Sequence, residues 1–350
     1  MIKKRKIALP LKKNKRLVES DQRITNETLD DFRQGVIEKG RKFKYPIQYE
    51  RHKVVINAGV VALLTLVVVV VITWWGLYRA NANNLVLFKL TQVFPLSIGK
   101  IDGAAISYGD YMAQYRSSMH YYQTKEGLPT EENSLEELRN QFRKQAFDNA
   151  AMVAFAKKIA ADTGVTISAD ERWQDIDTKL SYGGGRLSEE AYDEIMLDNY
   201  GLNRTEYQRL FVDNPLIVRK VSFAVDTNAQ RLADEVSQKI ALDGSNFQTI
   251  IDEYSDGRLI WFDSGLVKHG NSDGGRALAA LQLDLGQVAG PIISTDASGY
   301  YFVKLVSKDD AMLRYQSLLV PLTEFSRRLE EVRSNGGVVG YAKLGVNNND

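Results

Sequence analysis

Three patterns of apolar and polar positions divide this chain. The first is an uncharged run, Val54 to Tyr78, "VVINAGVVALLTLVVVVVITWWGLY", 25 residues long. As a helix rising about 1.5 Å per residue it would reach roughly 37 Å, enough to cross a hydrocarbon core of about 30 Å. Trp74, Trp75 and Tyr78 gather at its far end, where an interfacial aromatic belt is expected. A cleaved signal peptide is the rival reading, with "ANA" at 80–82 as the cleavage site. The long N-terminal lead and the length of the run argue against it.

In the second pattern, apolar residues recur every three or four positions. Tyr108, Tyr111, Met112, Tyr115, Met119 and Tyr122 form one helical face, opened by a Ser107–Asp110 capping box. Leu135, Leu138, Phe142, Phe147, Met152, Phe155 and Ile159 form another, capped by Ser134 and Glu137 and closed by Gly164. Ser168 and Glu171 repeat the start signal, and "SEEAYDEIMLDNYG" and "NRTEYQRLFVDNPLIVRKV" predict two further helices. Before them "IGKIDGAAIS" reads as strand, turn and strand.

The third pattern mixes periods. Residues 218–225 read as a strand, and residues 228–242 as a helix with Leu232, Val236 and Ile240 on one face. "NFQTIIDEYS" is a short helix; "RLIWF", "GPIIS" and "YYFVKLVS" are strands. A last helix is expected at about 321–334, then a frayed tail. The fold class expected is α+β. Its parts are a cytoplasmic basic tail (1–53), a single transmembrane helix (54–78), a linker (79–97), an all-α domain (98–216), a small α+β domain (217–310) and a C-terminal helix and tail (311–350).

Charge supplies the orientation. Residues 1–53 carry a net charge of +9, and residues 81–350 a net charge of −9. By the positive-inside rule the N-terminus is cytoplasmic and the larger part extracytoplasmic, a single-pass topology in the cell membrane. The basic head reads as a solvated tail lying on anionic lipid rather than a nucleic-acid arm. The absence of cysteine excludes disulfides, thiolate metal sites and cysteine nucleophiles. His52, His120 and His269 are scattered and form no metal motif, so neither metal nor cofactor is expected.

These segments together resemble a known family pair. "IDGAAIS" at Ile101 to Ser107, the "LEELRNQ" helix, "GVTISADE" at Gly164 to Glu171 and "GLNRTEYQRL" at Gly201 to Leu210 are similar in order and spacing to the N-terminal domain of the SurA/PrsA/PpiD foldases. Residues 217–308 resemble the parvulin (PpiC-type) peptidyl-prolyl isomerase domain that such foldases carry. "FQTIIDEYSDG", "WFDSG" and "LDLGQVAGPIISTDASGYYFVKL" carry that likeness.

A parvulin lowers the X-Pro rotation barrier of about 18–20 kcal/mol with an apolar slot and a polar network, and needs no nucleophile or metal. The family's functional positions are altered here. The first-strand histidine aligns with Lys220, the final-strand histidine with Tyr301, the Asp/Cys position with Gly257 and the slot phenylalanine with Arg276. The slot methionine has no counterpart, and His269 lies in the polar loop. The resemblance thus implies a degenerate site with no catalytic residue, in which Trp261, Phe262 and Tyr301 are peptide-groove candidates. Tyr301 is read as a packing or peptide-contact residue, with a recruited phenol as the alternative.

The function implied is that of a membrane-anchored extracytoplasmic chaperone or foldase. Its expected partners are unfolded or newly secreted polypeptides, the lipid bilayer, and envelope or translocon proteins, without nucleic acid. An active isomerase with an altered site and a scaffold subunit of an envelope complex are the alternatives.

Overall fold

A computed structural model describes residues 25–44, 46–80, 82–181, 185–243, 246–254, 257–271 and 273–342. The first part of the basic head, residues 1–24, and the end of the tail, 343–350, lie outside the described residues. The chain divides into two compact units, residues 1–71 and 72–350.

The first unit contains helix α1 (Asn26–Lys44), within the segment expected as a tail, and most of α2 (Pro46–Tyr78). Within α2, His52–Tyr78 is long and apolar enough to cross a membrane. Its described side chains up to Val71 are exposed, and Thr65 donates its hydroxyl to the Val61 carbonyl within the helix.

The second unit begins with the last turns of α2. Leu77 is fully buried, and the Tyr108 hydroxyl donates to its carbonyl at 2.6 Å. The expected linker is not a linker. It contains α3 (Leu85–Val93), capped by Asn84, with Leu87, Phe88 and Thr91 buried. A nine-residue segment shows too few turns for a helical period to stand out, which is why the sequence conceals it.

Strands β1 (Ser97–Ile101) and β2 (Ala104–Ser107) form a hairpin turned by Asp102 and Gly103, both at positive φ. Then come α4 (Tyr108–Tyr121), α5 (Glu132–Thr163), α6 (Ala169–Leu180), α7 (Glu189–Tyr200) and α8 (Arg204–Tyr207). A π-helical turn, Gln208–Asp213, leads into α9 (Asn214–Val225). Ser107 caps α4, Ser168 and Glu171 form the expected capping box, and Gly164 ends α5 in the left-handed region. Helix α5 starts at Glu132, so Ser134 lies inside its first turn rather than at its cap.

The strand expected at 218–225 is instead the body of α9. Pro215 directly follows the π-helical turn. Leu216, Ile217 and Val221 are buried at helical spacing, the last two in the helical core. Packing on α5 thereby overrides the β-branched composition.

The sheet unit follows: α10 (Thr227–Asp243), α11 (Phe247–Glu253), β3 (Ile260–Asp263), β4 (Val267–Lys268), α12 (Arg276–Leu281), β5 (Val288–Ile293), β6 (Gly299–Lys308) and β7 (Met312–Pro321). The antiparallel order is β3-β7-β6-β5, with β4 also on β7. Strand β7 corrects the expected boundary at 310, since it is an inner strand of the sheet. Phe302, Leu318 and Val320 pack on the α10–α11 side, while Tyr301, Val303, Leu305, Leu313 and Tyr315 pack on the α12 side.

After the sheet the chain returns. Helix α13 (Glu324–Ser334) places Phe325 and Leu329 in the helical core. Strand β8 (Val338–Gly340) pairs with β1, so this part of the expected frayed tail is ordered sheet. The sheet unit is therefore inserted between α9 and α13. Buried Asp226 holds both crossings: one carboxylate oxygen accepts from Ala229 N at 2.9 Å, the other from Thr323 N at 2.7 Å and Glu324 N at 3.0 Å.

Candidate functional site

Strand alternation decides what surrounds Tyr301. Residues 301, 303 and 305 point to the α12 face, and Tyr301 is only 3% exposed there. Helix α12 begins at Arg276, after the left-handed Gly274 and Gly275. The Arg276 guanidinium lies 4.6 Å from the Tyr301 ring centroid and 5.0 Å from that of Phe262. Its Nε donates to the Asp273 carbonyl at 2.7 Å, which fixes the side chain over both rings.

A polar layer lies beside this stack. The Tyr301 and Ser298 hydroxyls are 2.7 Å apart, and Ser298 Oγ donates to Asp296 at 2.5 Å. Burial pushes the Asp296 carboxyl upward, but the bonds from Ser298 and Ser294 outweigh it and hold the group below its ordinary range. The Tyr315 hydroxyl donates to Asp273 at 2.6 Å, and burial followed by that carboxylate pushes its pKa far up. Asp273 also accepts from Ala277 N at 3.0 Å, capping α12. On β7, Ser317 pairs with Val303, and its hydroxyl is the one buried side-chain polar atom without a partner among the described residues.

Of the residues expected in the site, Tyr301, Arg276 and Phe262 come together. Trp261 precedes Phe262 on the same strand and stands opposite Leu318, on the α10 side. Gly257, at φ 80°, lines a cleft with Asn228, Leu232 and Glu235, also on the α10 side and away from Tyr301. Lys220 sits on α9, outside the sheet. It bonds the Glu171 carboxylate and the Thr166 carbonyl, tying α6 to α9. That bond, with the Ser168 backbone N–H, lowers the Glu171 carboxyl to about 2. His269 Nε2 is 3.3 Å from the Met312 carbonyl and belongs to the β4–β7 connection.

Asp273, Ser298, Tyr315 and Ser317 were not singled out from the sequence. The period-two alternation of Leu313, Tyr315, Ser317 and Leu319 is the signal that points to β7 and its two residues.

A second feature needs the tertiary structure entirely. The β5–β6 hairpin tip, 294–298, reaches the helical core, where Arg219 donates to the Thr295 carbonyl at 3.0 Å. Clefts open on either side of it. One, of about 390 Å³, is walled by Met152, Val153, Leu210, Phe211 and Val218. At its polar end Asp110 is buried, bonded by Arg209 at 2.6 Å and approached by Lys157 at 3.5 Å. The other, of about 780 Å³, runs along α6 and α9 past Leu216, Phe223 and Ile293, with Glu171, Asp175, Lys179 and Lys220 at its rim.

Residues 50–221 match the family model described as a SurA-like N-terminal domain. Domains of this kind bind unfolded polypeptides and mark chaperone-like foldases. No curated protein and no solved structure matches the chain. The family match ends in α9, so α13 and β8 complete a core whose matched part lies before the inserted sheet.

Proposed function

With the SurA-like N-terminal domain as the premise, we propose that this protein is a membrane-anchored extracytoplasmic chaperone that holds unfolded or newly secreted polypeptides. In this reading α2 spans the cell membrane, the basic N-terminus is cytoplasmic, and residues 79–342 face the outside. The observation that carries the reading is the pair of apolar clefts flanking the 294–298 hairpin tip. Met152 and Phe211 offer adaptable apolar contact that suits loosely specified chains.

The test uses the full-length protein in lipid nanodiscs and an aggregating, chemically unfolded client. The wild type is expected to slow light scattering at a few-fold molar excess. Met152→Glu keeps a good helix former while placing a carboxylate in the cleft near Asp110. We expect it to weaken client binding by about 1–3 kcal/mol, roughly 5- to 150-fold, with the far-UV circular dichroism spectrum unchanged. Undiminished suppression by this variant would remove the cleft from the proposal.

The sheet unit is read as parvulin-like with a degenerate isomerase site. Arg276 fills the space between Phe262 and Tyr301, where a proline ring would need an apolar slot. Tyr301 is buried and its hydroxyl is engaged by Ser298. The inner strand beside β6 is β7, which presents Ser317 on the Tyr301 face rather than an imidazole. One phenol hydrogen bond is worth about 1 kcal/mol net, against the several needed for useful catalysis at about 1.36 kcal/mol per tenfold. A protease-free assay on X-Pro peptides should therefore show less than about tenfold acceleration. Tyr301→Phe should leave that residual rate within about fivefold. Strong turnover abolished by Tyr301→Phe would establish an isomerase with a recruited tyrosine instead.

A further inference from the structure

Helix α3 is apolar on two sides. Leu87, Phe88 and Thr91 face the core, while Leu85, Val86 and Val93 point outward, Val86 being 71% and Val93 74% exposed. Phe94, just past the helix, is exposed as well. At 100° per residue, Leu85, Val86, Lys89 and Val93 fall within one stripe about 100° wide, with Lys89 near its centre. An apolar helix face is stable in water only when something covers it. Here the protein covers one side.

The position of α3 says what covers the other. Its Leu87 meets the last turns of α2 at Gly76, where an added Cβ would stand 3.1 Å from Leu87 Cδ1. Gly76 is one and two residues from Trp75 and Trp74, both exposed. At about 1.5 Å per residue, α3 therefore touches α2 within about 3 Å, along the axis, of the tryptophan pair that ends the apolar run. Basic groups lie on and beside the stripe. Arg79 and Lys89 are exposed, and Arg116 bonds the Asn83 carbonyl at 3.0 Å. The acidic group beside them, Glu206, is buried and bonded by Lys89 at 2.8 Å.

We infer that the outward face of α3, with Phe94, Trp74 and Trp75, is a second membrane contact lying in the headgroup layer of the bilayer that α2 crosses. Leu85, Val86, Val93 and Phe94 enter the acyl boundary, and Arg79 reaches the lipid phosphates with its stem along the apolar layer, while Lys89 stays paired with Glu206. The inference rests on the reading of α2 as a span.

The chain has no cysteine, so single thiols can be placed without background. Val86→Cys and Val93→Cys change exposed positions, Val67→Cys reports on the span and Leu285→Cys on an exposed turn of the sheet unit. Each full-length variant carries an environment-sensitive fluorophore and is reconstituted in phosphatidylcholine/phosphatidylglycerol vesicles with quencher-bearing lipids. Probes at 86 and 93 should lose about half or more of their emission to a quencher just below the headgroups, since an interfacial helix sinks about 5–10 Å. The probe at 67 should respond to a quencher at the bilayer centre, and the probe at 285 to neither. If 67 is quenched and 86 and 93 behave like 285, the inference is wrong while the span stands. Blue-shifted but unquenched probes at 86 and 93 would also overturn it, showing protein rather than lipid over the face. If 67 is not quenched, the span reading fails and the inference fails with it.

Discussion

Phe325→Ala is expected to destabilise the second unit by about 3–5 kcal/mol, the usual cost of emptying a buried phenylalanine site. Phe325 lies about 100 residues beyond the family match, on a helix that follows the sheet. Yet it is buried in the helical core, with its ring centroid 5.8 Å from that of Phe155 on α5. The walls of that site are the long helices α5 and α9, which cannot close on the gap without moving their own contacts, so the cavity cost adds to the lost transfer energy. Urea unfolding of the micelle-solubilised chain, followed by far-UV circular dichroism, measures the effect. A loss below about 1 kcal/mol would mean that α13 decorates the helical domain rather than completing it.

Gly299→Ala is expected to cost the sheet unit about 3 kcal/mol or more, through close backbone contact rather than lost burial. Gly299 opens β6 at φ 150°, and an added Cβ would stand 2.0 Å from the Val320 carbonyl oxygen. Its N–H donates to Ser294 Oγ at 3.0 Å and its carbonyl accepts from Ser294 N at 3.0 Å. The residue cannot swing away without opening the hairpin tip between the two clefts. Gly286→Ala is the control. Gly286 also has a positive φ, of 79°, but a Cβ there meets nothing within 4 Å, and the expected cost is about 1 kcal/mol. Near-UV circular dichroism of the surrounding tyrosines during unfolding compares the two variants. Equal losses would show that the β6–β7 approach is looser than described.

Much of the chain could be read without its fold, and for a local reason. An uncharged 25-residue run needs no partner to declare itself, since its chemistry is set against solvent rather than against another segment. The same holds for the capping box of Ser168 and Glu171, and for Gly164 at the end of α5. Each joins backbone groups within one turn, so residue type and spacing suffice. The strands Ile260–Asp263, Val288–Ile293 and Gly299–Lys308 could be read from their composition and turn residues.

What required the tertiary structure depends on distant segments. The run 218–225 is rich in β-branched residues, and only the surface of α5 makes it a helix. Strand β7 could have been the approach to the last helix, and became the inner strand because β3 and β6 present open edges on either side of it. Strand β8 means nothing until β1, more than 230 residues earlier, offers Gly99 as a bare surface where an added Cβ would stand 2.4 Å from the Val339 carbonyl oxygen. The site divides the same way. Sequence alone named Tyr301, Phe262 and Arg276, but could not stack a cation between the two rings. It separated Lys220 and Gly257 from that place only once α9 and the α10 side of the sheet had claimed them. Caps and uncharged runs are recognisable within a few residues of themselves, whereas strand order, clefts and ring contacts are free energies shared between segments that the linear pattern does not bring together.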